Sequence, residues 1–75
     1  MYYKNLRAEF IRNEVTREEV MELLDIGRGA YYSKLSGRTG FTLKEVQLIL
    51  GLMLEKSGKA YSIDYLFKTN ATEKK

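Results

Sequence analysis

The sequence contains no cysteine, no histidine and no proline. Without cysteine there are no disulfides and no thiolate metal sites. Without histidine the chain lacks the commonest metal ligand and the side chain most often used as a general base near neutral pH. No glycine-rich phosphate loop is present either. The chain is therefore expected not to be an enzyme and to need no cofactor or metal. The lack of proline suits an all-helical chain. Long apolar runs are missing too: the richest stretch, Val46 to Leu54, is broken by Gln47 and Gly51 and falls far short of the ~20 residues that span a bilayer. No apolar N-terminal run leads to a small-residue cleavage site. Asn70-Ala71-Thr72 matches a glycosylation sequon, but without a secretion signal it is a chance match. These absences lead to the expectation of a soluble, cytoplasmic protein with no membrane partner and no small-molecule ligand.

What is present is short and sorted by charge. Seventy-five residues make one domain. A chain of this size buries only ~60% of its unfolded surface, so stability must come from strong local helix signals or from a partner chain. The net charge of +3 is only a weak pointer to nucleic acid. Its distribution says more. In residues 16 to 38, Glu18, Glu19, Glu22 and Asp25 occupy the first half and Arg28, Lys34 and Arg38 the second, with no acid between Ile26 and Lys44. A short basic segment cleared of carboxylates suits approach to a phosphate backbone.

Helix starts are well marked. Thr16 with Glu19, and Thr42 with Glu45, form capping boxes, flanked by the staple pairs Val15/Val20 and Phe41/Val46. Ile26 and Tyr31 bracket a start at Gly27, and Tyr61 and Leu66 bracket one at Ser62. Five helices are predicted. The first covers about Tyr3 to Asn13, with Tyr3, Leu6, Phe10 and Ile11 inward. The second covers Arg17 to Leu24, with Val20, Leu23 and Leu24 inward, and the third Arg28 to Leu35, with Tyr31 and Leu35 inward. The fourth covers Leu43 to Lys56, with Leu43, Val46, Leu50 and Met53 or Leu54 inward. The fifth is a turn or two from Ile63 to Phe67. Ser36 to Gly40 reads as a loop, and residues 69–75 as a polar, flexible tail to a domain of residues 1–68.

Thr16-Arg17-Glu18-Glu19-Val20, Leu23-Leu24-Asp25-Ile26-Gly27-Arg28 and Lys34-Leu35-Ser36-Gly37-Arg38 together resemble the helix-turn-helix of the Cro/CI-type, lambda-repressor-like family of phage repressors. Leu6-Arg7 and Ser62 to Phe67 resemble its flanking landmarks, so the likeness runs over roughly residues 3 to 68. It implies an all-α, compact five-helix domain. It also implies a small, sequence-specific transcriptional regulator of phage or prophage origin that binds double-stranded DNA and acts by occupying an operator. Two positions depart from the pattern. Met21 stands where the family usually has a small residue, mostly Ala. Asp25 stands where it usually has Gly in a left-handed turn, a conformation that Asp tolerates.

If the third helix enters the major groove, Arg28, Gly29, Tyr32 and Ser33 share its outer face and are the candidates for base readout. The Arg28 fork matches the two acceptors of guanine. Gly29 lowers helix propensity and would admit close backbone approach. Tyr32 can stack, touch a thymine methyl or donate to phosphate, or it can be a half-buried ring over the junction of the third and fourth helices. Arg17, where the resemblance implies a phosphate contact usually made by Gln, joins Lys34, Arg38, Thr39 and Lys44 as candidate phosphate contacts. The fourth helix carries more apolar residues than one face needs. Either it is central to the core, or Leu48, Ile49 and Leu52, with Tyr65 and Phe67, form a homodimer surface. The rival to DNA binding is an interaction module of the same fold, antitoxin-like or an assembly partner.

Overall fold

The computed structural model describes residues 2–69; the polar tail from Asn70 onward lies outside them. Within them the chain is all-helical and compact, with a Cα radius of gyration of 11.7 Å. Five helices follow in order: α1 (Lys4–Arg12), α2 (Arg17–Leu24), α3 (Arg28–Leu35), α4 (Leu43–Ser57) and α5 (Ile63–Leu66). Packing of α2 on α4 and of α1 on α5 closes the domain.

The starts are where local chemistry puts them. Thr16 and Thr42 each accept from the backbone amide three residues on, and Glu19 and Glu45 each return the bond to the cap's own amide, which completes two capping boxes. The Ser62 hydroxyl accepts from the Tyr65 amide at the head of α5. Gly27 caps α3 in extended backbone without a side chain.

The ends share one device. Glu14, Asp25 and Gly37 all take positive φ, and the next residue's N–H reaches back five positions. Val15 donates to the Phe10 carbonyl at 2.8 Å, Ile26 to Met21 at 3.0 Å and Arg38 to Ser33 at 3.0 Å. This is the 6→1 bond of a Schellman end, and it turns the chain sharply after α1, α2 and α3. The left-handed geometry expected at Asp25 is present at φ 57°, ψ 51°. At Gly37 a Cβ would stand 2.7 Å from the Tyr2 ring, so both the backbone and the space require glycine there.

The core comprises Leu6, Phe10, Val15, Val20, Leu24, Tyr31, Leu35, Ile49, Met53 and Leu66, sealed at one end by Tyr3. Tyr3, Phe41 and Phe67 meet edge to face at 5.4–6.0 Å. Met21 is half-buried and packs against this cluster, so the larger residue is absorbed in the space between α2 and its neighbours.

Two of the expected inward residues, Ile11 at 72% and Leu43 at 68% exposure, point outward instead. Of the alternatives Met53 and Leu54, the core takes Met53, fully buried with Ile49, and leaves Leu54 49% exposed. The rotation of α4 has a polar cause. Glu45 and Lys56 lie on the same stripe as Ile49 and Met53, and each is tied to another helix: Glu45 to Lys34 at 3.0 Å and Lys56 to Glu19 at 2.6 Å. In a helix apolar nearly all round, these ion pairs select which apolar stripe faces the core.

Candidate nucleic-acid interface

Tyr31 and Tyr32 are adjacent on α3, one turned into the core and the next toward its edge. Tyr31 is buried, while Tyr32 is 48% exposed, with the two rings edge to face at 5.2 Å. Arg17, the first residue of α2, reaches across. Its Nη1 donates to the Tyr32 hydroxyl at 2.7 Å and its Nη2 to Glu18 at 3.0 Å. The hydroxyl and the carboxylate raise the arginine pKa further above its usual value, so the charge is permanent. Arg17 Nε makes no hydrogen bond among the described residues.

Three shallow clefts meet at Tyr32. One of about 160 Å³ is lined by Arg7, Arg17, Tyr31 and Leu35. A second adds Tyr2 and Ser36 to Arg7 and Leu35. The third, on the outer face of α3, is lined by Gly29, Ser33, Ser36 and Arg38. Arg28 is exposed at the head of α3, one turn before Tyr32, and its charge helps to lower the pKa of Glu18 behind the larger effects of a backbone hydrogen bond and Arg17. Tyr32 thus sits among clefts lined by Arg7, Arg17 and Arg38, with Arg28 exposed one turn before it and Glu18 paired to Arg17. Such a surface suits phosphate oxygens with bases beside them.

Of the candidate base-reading residues, Gly29, Tyr32 and Ser33 line one cleft, and Arg28 is exposed beside Gly29 at the head of α3. A Cβ at Gly29 would meet nothing within 4 Å, so the backbone there is open to close approach. Ser33 is half-buried, and its carbonyl anchors the loop after α3 by accepting from Arg38, Thr39 and the Ser36 hydroxyl. Arg38 and Thr39 are exposed beside this anchor. Lys44 is exposed on the outer face of α4.

Lys34 is not free for phosphate. Its ammonium is engaged by Glu45 at 3.0 Å and by the Gly40 carbonyl at 3.2 Å, above the Phe41 ring, and its side chain is only 14% exposed. Burial pushes the Glu45 carboxyl up, but the Thr42 amide and Lys34 more than offset this and hold it below the usual range. Lys34 thus fixes the back of α3 to α4. The surface expected for a homodimer is corrected as well. Ile49 is fully buried, and Leu48, Leu52 and Phe67 are partly buried against the core. Tyr65 is 42% exposed, but its hydroxyl is spent on Glu9 at 2.7 Å.

Arg7 is a member of the cleft that pattern reasoning missed. The signal was local: its neighbours at three and four residues, Tyr3, Lys4, Phe10 and Ile11, include no acid to pair with. Also missed was Glu9, buried to 2% exposure and accepting from the Tyr61 hydroxyl at 2.6 Å and from Tyr65, with Arg12 at 3.7 Å. The two tyrosine bonds, Tyr61 first, hold its carboxyl below the usual range despite burial. This knot locks α1 to α5.

Among the described residues no group of acids could hold a metal ion, and no helix is long and apolar enough to cross a membrane. Comparison of the chain with protein-family models, curated proteins and solved structures gives no match.

Proposed function

We propose that this chain is a sequence-specific DNA-binding regulator with a lambda-repressor-like helix-turn-helix, formed by α2, the Asp25 turn and α3, and that it acts by occupying its site rather than by catalysis. The observation that carries this reading is that Arg7, Arg17 and Arg38 line the clefts that meet at Tyr32, with Arg28 exposed one turn before it on α3. Arg28 reads a base edge from the head of α3, with Gly29, Tyr32 and Ser33 beside it. Arg17, Arg38 and Arg7 hold phosphates on either side, and Thr39 adds a hydroxyl at the loop. Glu22 and Asp25 lie on the exposed side of α2 and its turn, where they would repel DNA, so docking leads with α3.

Selection from a random duplex library, followed by a salt series, tests this. The parent should select a defined sequence. Arg28→Ala should lose about 1–3 kcal/mol and relax one position, whereas Arg38→Ala should weaken all sequences alike and reduce the salt slope by about 0.9. Binding no stronger than that of a generic basic protein at low salt would sink the proposal. It would leave the interaction-module reading, which the exposed apolar side chains of α4 favour.

A further inference from the structure

Among the described residues nothing covers the outer face of α4. Leu43, Gln47, Gly51 and Leu54 follow one another at helical spacing and are all exposed, with half-buried Leu50 along their edge. Lys44 and Glu55 flank this stripe. They are eleven residues apart, three helical turns, so they lie on the same edge at opposite ends. Neither has an ion-pair partner among the described residues. A two-fold axis across the middle of the helix therefore sets Lys44 of each copy against Glu55 of the other, twice. The same operation lays Gln47 of each copy near the second copy's Gly51, where the space above the backbone is open. An arrangement that satisfies itself under a two-fold operation fits a second copy of the same surface better than an unrelated partner.

We propose that the chain self-associates through this face, α4 against α4 in antiparallel contact, and that the occupant is a second copy of the chain. The surface differs from the residues that composition suggested, because Ile49, Leu48 and Leu52 serve the core. It also gives Lys44 an acidic partner in place of a phosphate. The proposal does not rest on DNA binding and stands or falls without it.

Sedimentation equilibrium of the full chain, from micromolar to millimolar concentration, tests it. The parent should reach a dimer. Lys44→Glu and Glu55→Lys should each weaken that dimer about tenfold, since each turns two attractions into repulsions, and the double variant should restore it. Leu54→Arg should leave a monomer with unchanged helicity by circular dichroism. Should Leu54→Arg lose helicity, the charge exchange alone decides. A parent that stays monomeric throughout overturns the proposal. So does a dimer indifferent to these substitutions, or one weakened by both charge reversals but not rescued by the pair.

Discussion

Replacing Gly37 by Ala separates two costs that coincide at one residue. Gly37 has φ +86°, a region that costs an L-residue about 1–2 kcal/mol. The stiffer unfolded chain of the alanine variant returns ~0.4–1 kcal/mol of this. The new methyl would also stand 2.7 Å from three carbons of the Tyr2 ring, well inside contact distance. Displacing a packed ring of this kind costs about 1–3 kcal/mol. At mid-range these combine to a net loss of about 3 kcal/mol, out of the roughly 4–11 kcal/mol that a domain of this length holds. It should lower Tm by roughly 10–20 °C.

A double-mutant cycle with Tyr2→Ala isolates the steric part. In the Tyr2→Ala background the same substitution should cost only the backbone share, leaving a coupling energy of about 1–3 kcal/mol between the two sites. Urea unfolding followed by far-ultraviolet circular dichroism measures all four proteins. An equal cost with and without the ring would refute the steric argument, and a neutral Gly37→Ala would refute both parts.

Other predictions concern charge and strain. The Glu9, Glu19 and Glu45 carboxyls are all held below their ordinary value near 4.5, Glu9 by Tyr61 and Tyr65, Glu19 by Lys56 and Thr16, and Glu45 by Thr42 and Lys34 against burial. A depressed folded-state pKa contributes stability that is complete above about pH 4.5 and is lost as pH falls through the folded value, so thermal melts should hold steady from pH 7 to 5 and drop steeply below 4.5. Tyr61→Phe removes the shortest bond to Glu9 and one from Asn13, and should cost about 1.5–3 kcal/mol in urea melts; it should also flatten the acid limb. Glu14 carries a Cβ at φ 58°, so Glu14→Gly should raise stability by up to about 1 kcal/mol, and a loss would show that the Glu14 side chain does more than tolerate the turn.

How much of this was legible depended on range. The bounds of α2 and α3 fall on the expected residues because their starts are set by caps and staples that act within five positions. Helix ends were harder. Glycine marks the left-handed position after α3 and α4, but Glu14 and Asp25 hold the same geometry with side chains that do not announce it. At Asp25 only the family resemblance pointed to the turn. The face of α4 could not be read from apolar spacing, since Leu43, Leu50 and Leu54 make as good a stripe as Val46, Ile49 and Met53. What decides between them are ion pairs from Glu45 to Lys34 and from Lys56 to Glu19, contacts between helices that no window on the sequence contains. Arg7 reaches the cleft, and Glu9 its knot with α5, in the same long-range way.

The same polar contacts bear on how α3 can act. Only Tyr31 and Leu35 are buried on this helix, too little apolar surface to fix its direction alone. Its aim is set by three polar or steric ties: Lys34 to Glu45 at the back, Arg17 to Tyr32 at the front, and the Tyr2 ring against Gly37 at the end. The front tie differs from the others because its donor lies within the surface proposed to meet DNA. Arg17 spends Nη1 on Tyr32 and Nη2 on exposed Glu18, so a phosphate that engages it must displace one of them. Glu18 is the weaker holder, being a solvent-exposed neighbour in an ion pair of little net value, while the Tyr32 bond is short and braces α3. On the DNA-binding reading, the phosphate takes the place of Glu18, and Tyr32 stays where the free protein holds it. Arg17 then acts as a positioning residue for α3 and as a phosphate ligand at once, which accounts for an arginine at the head of α2.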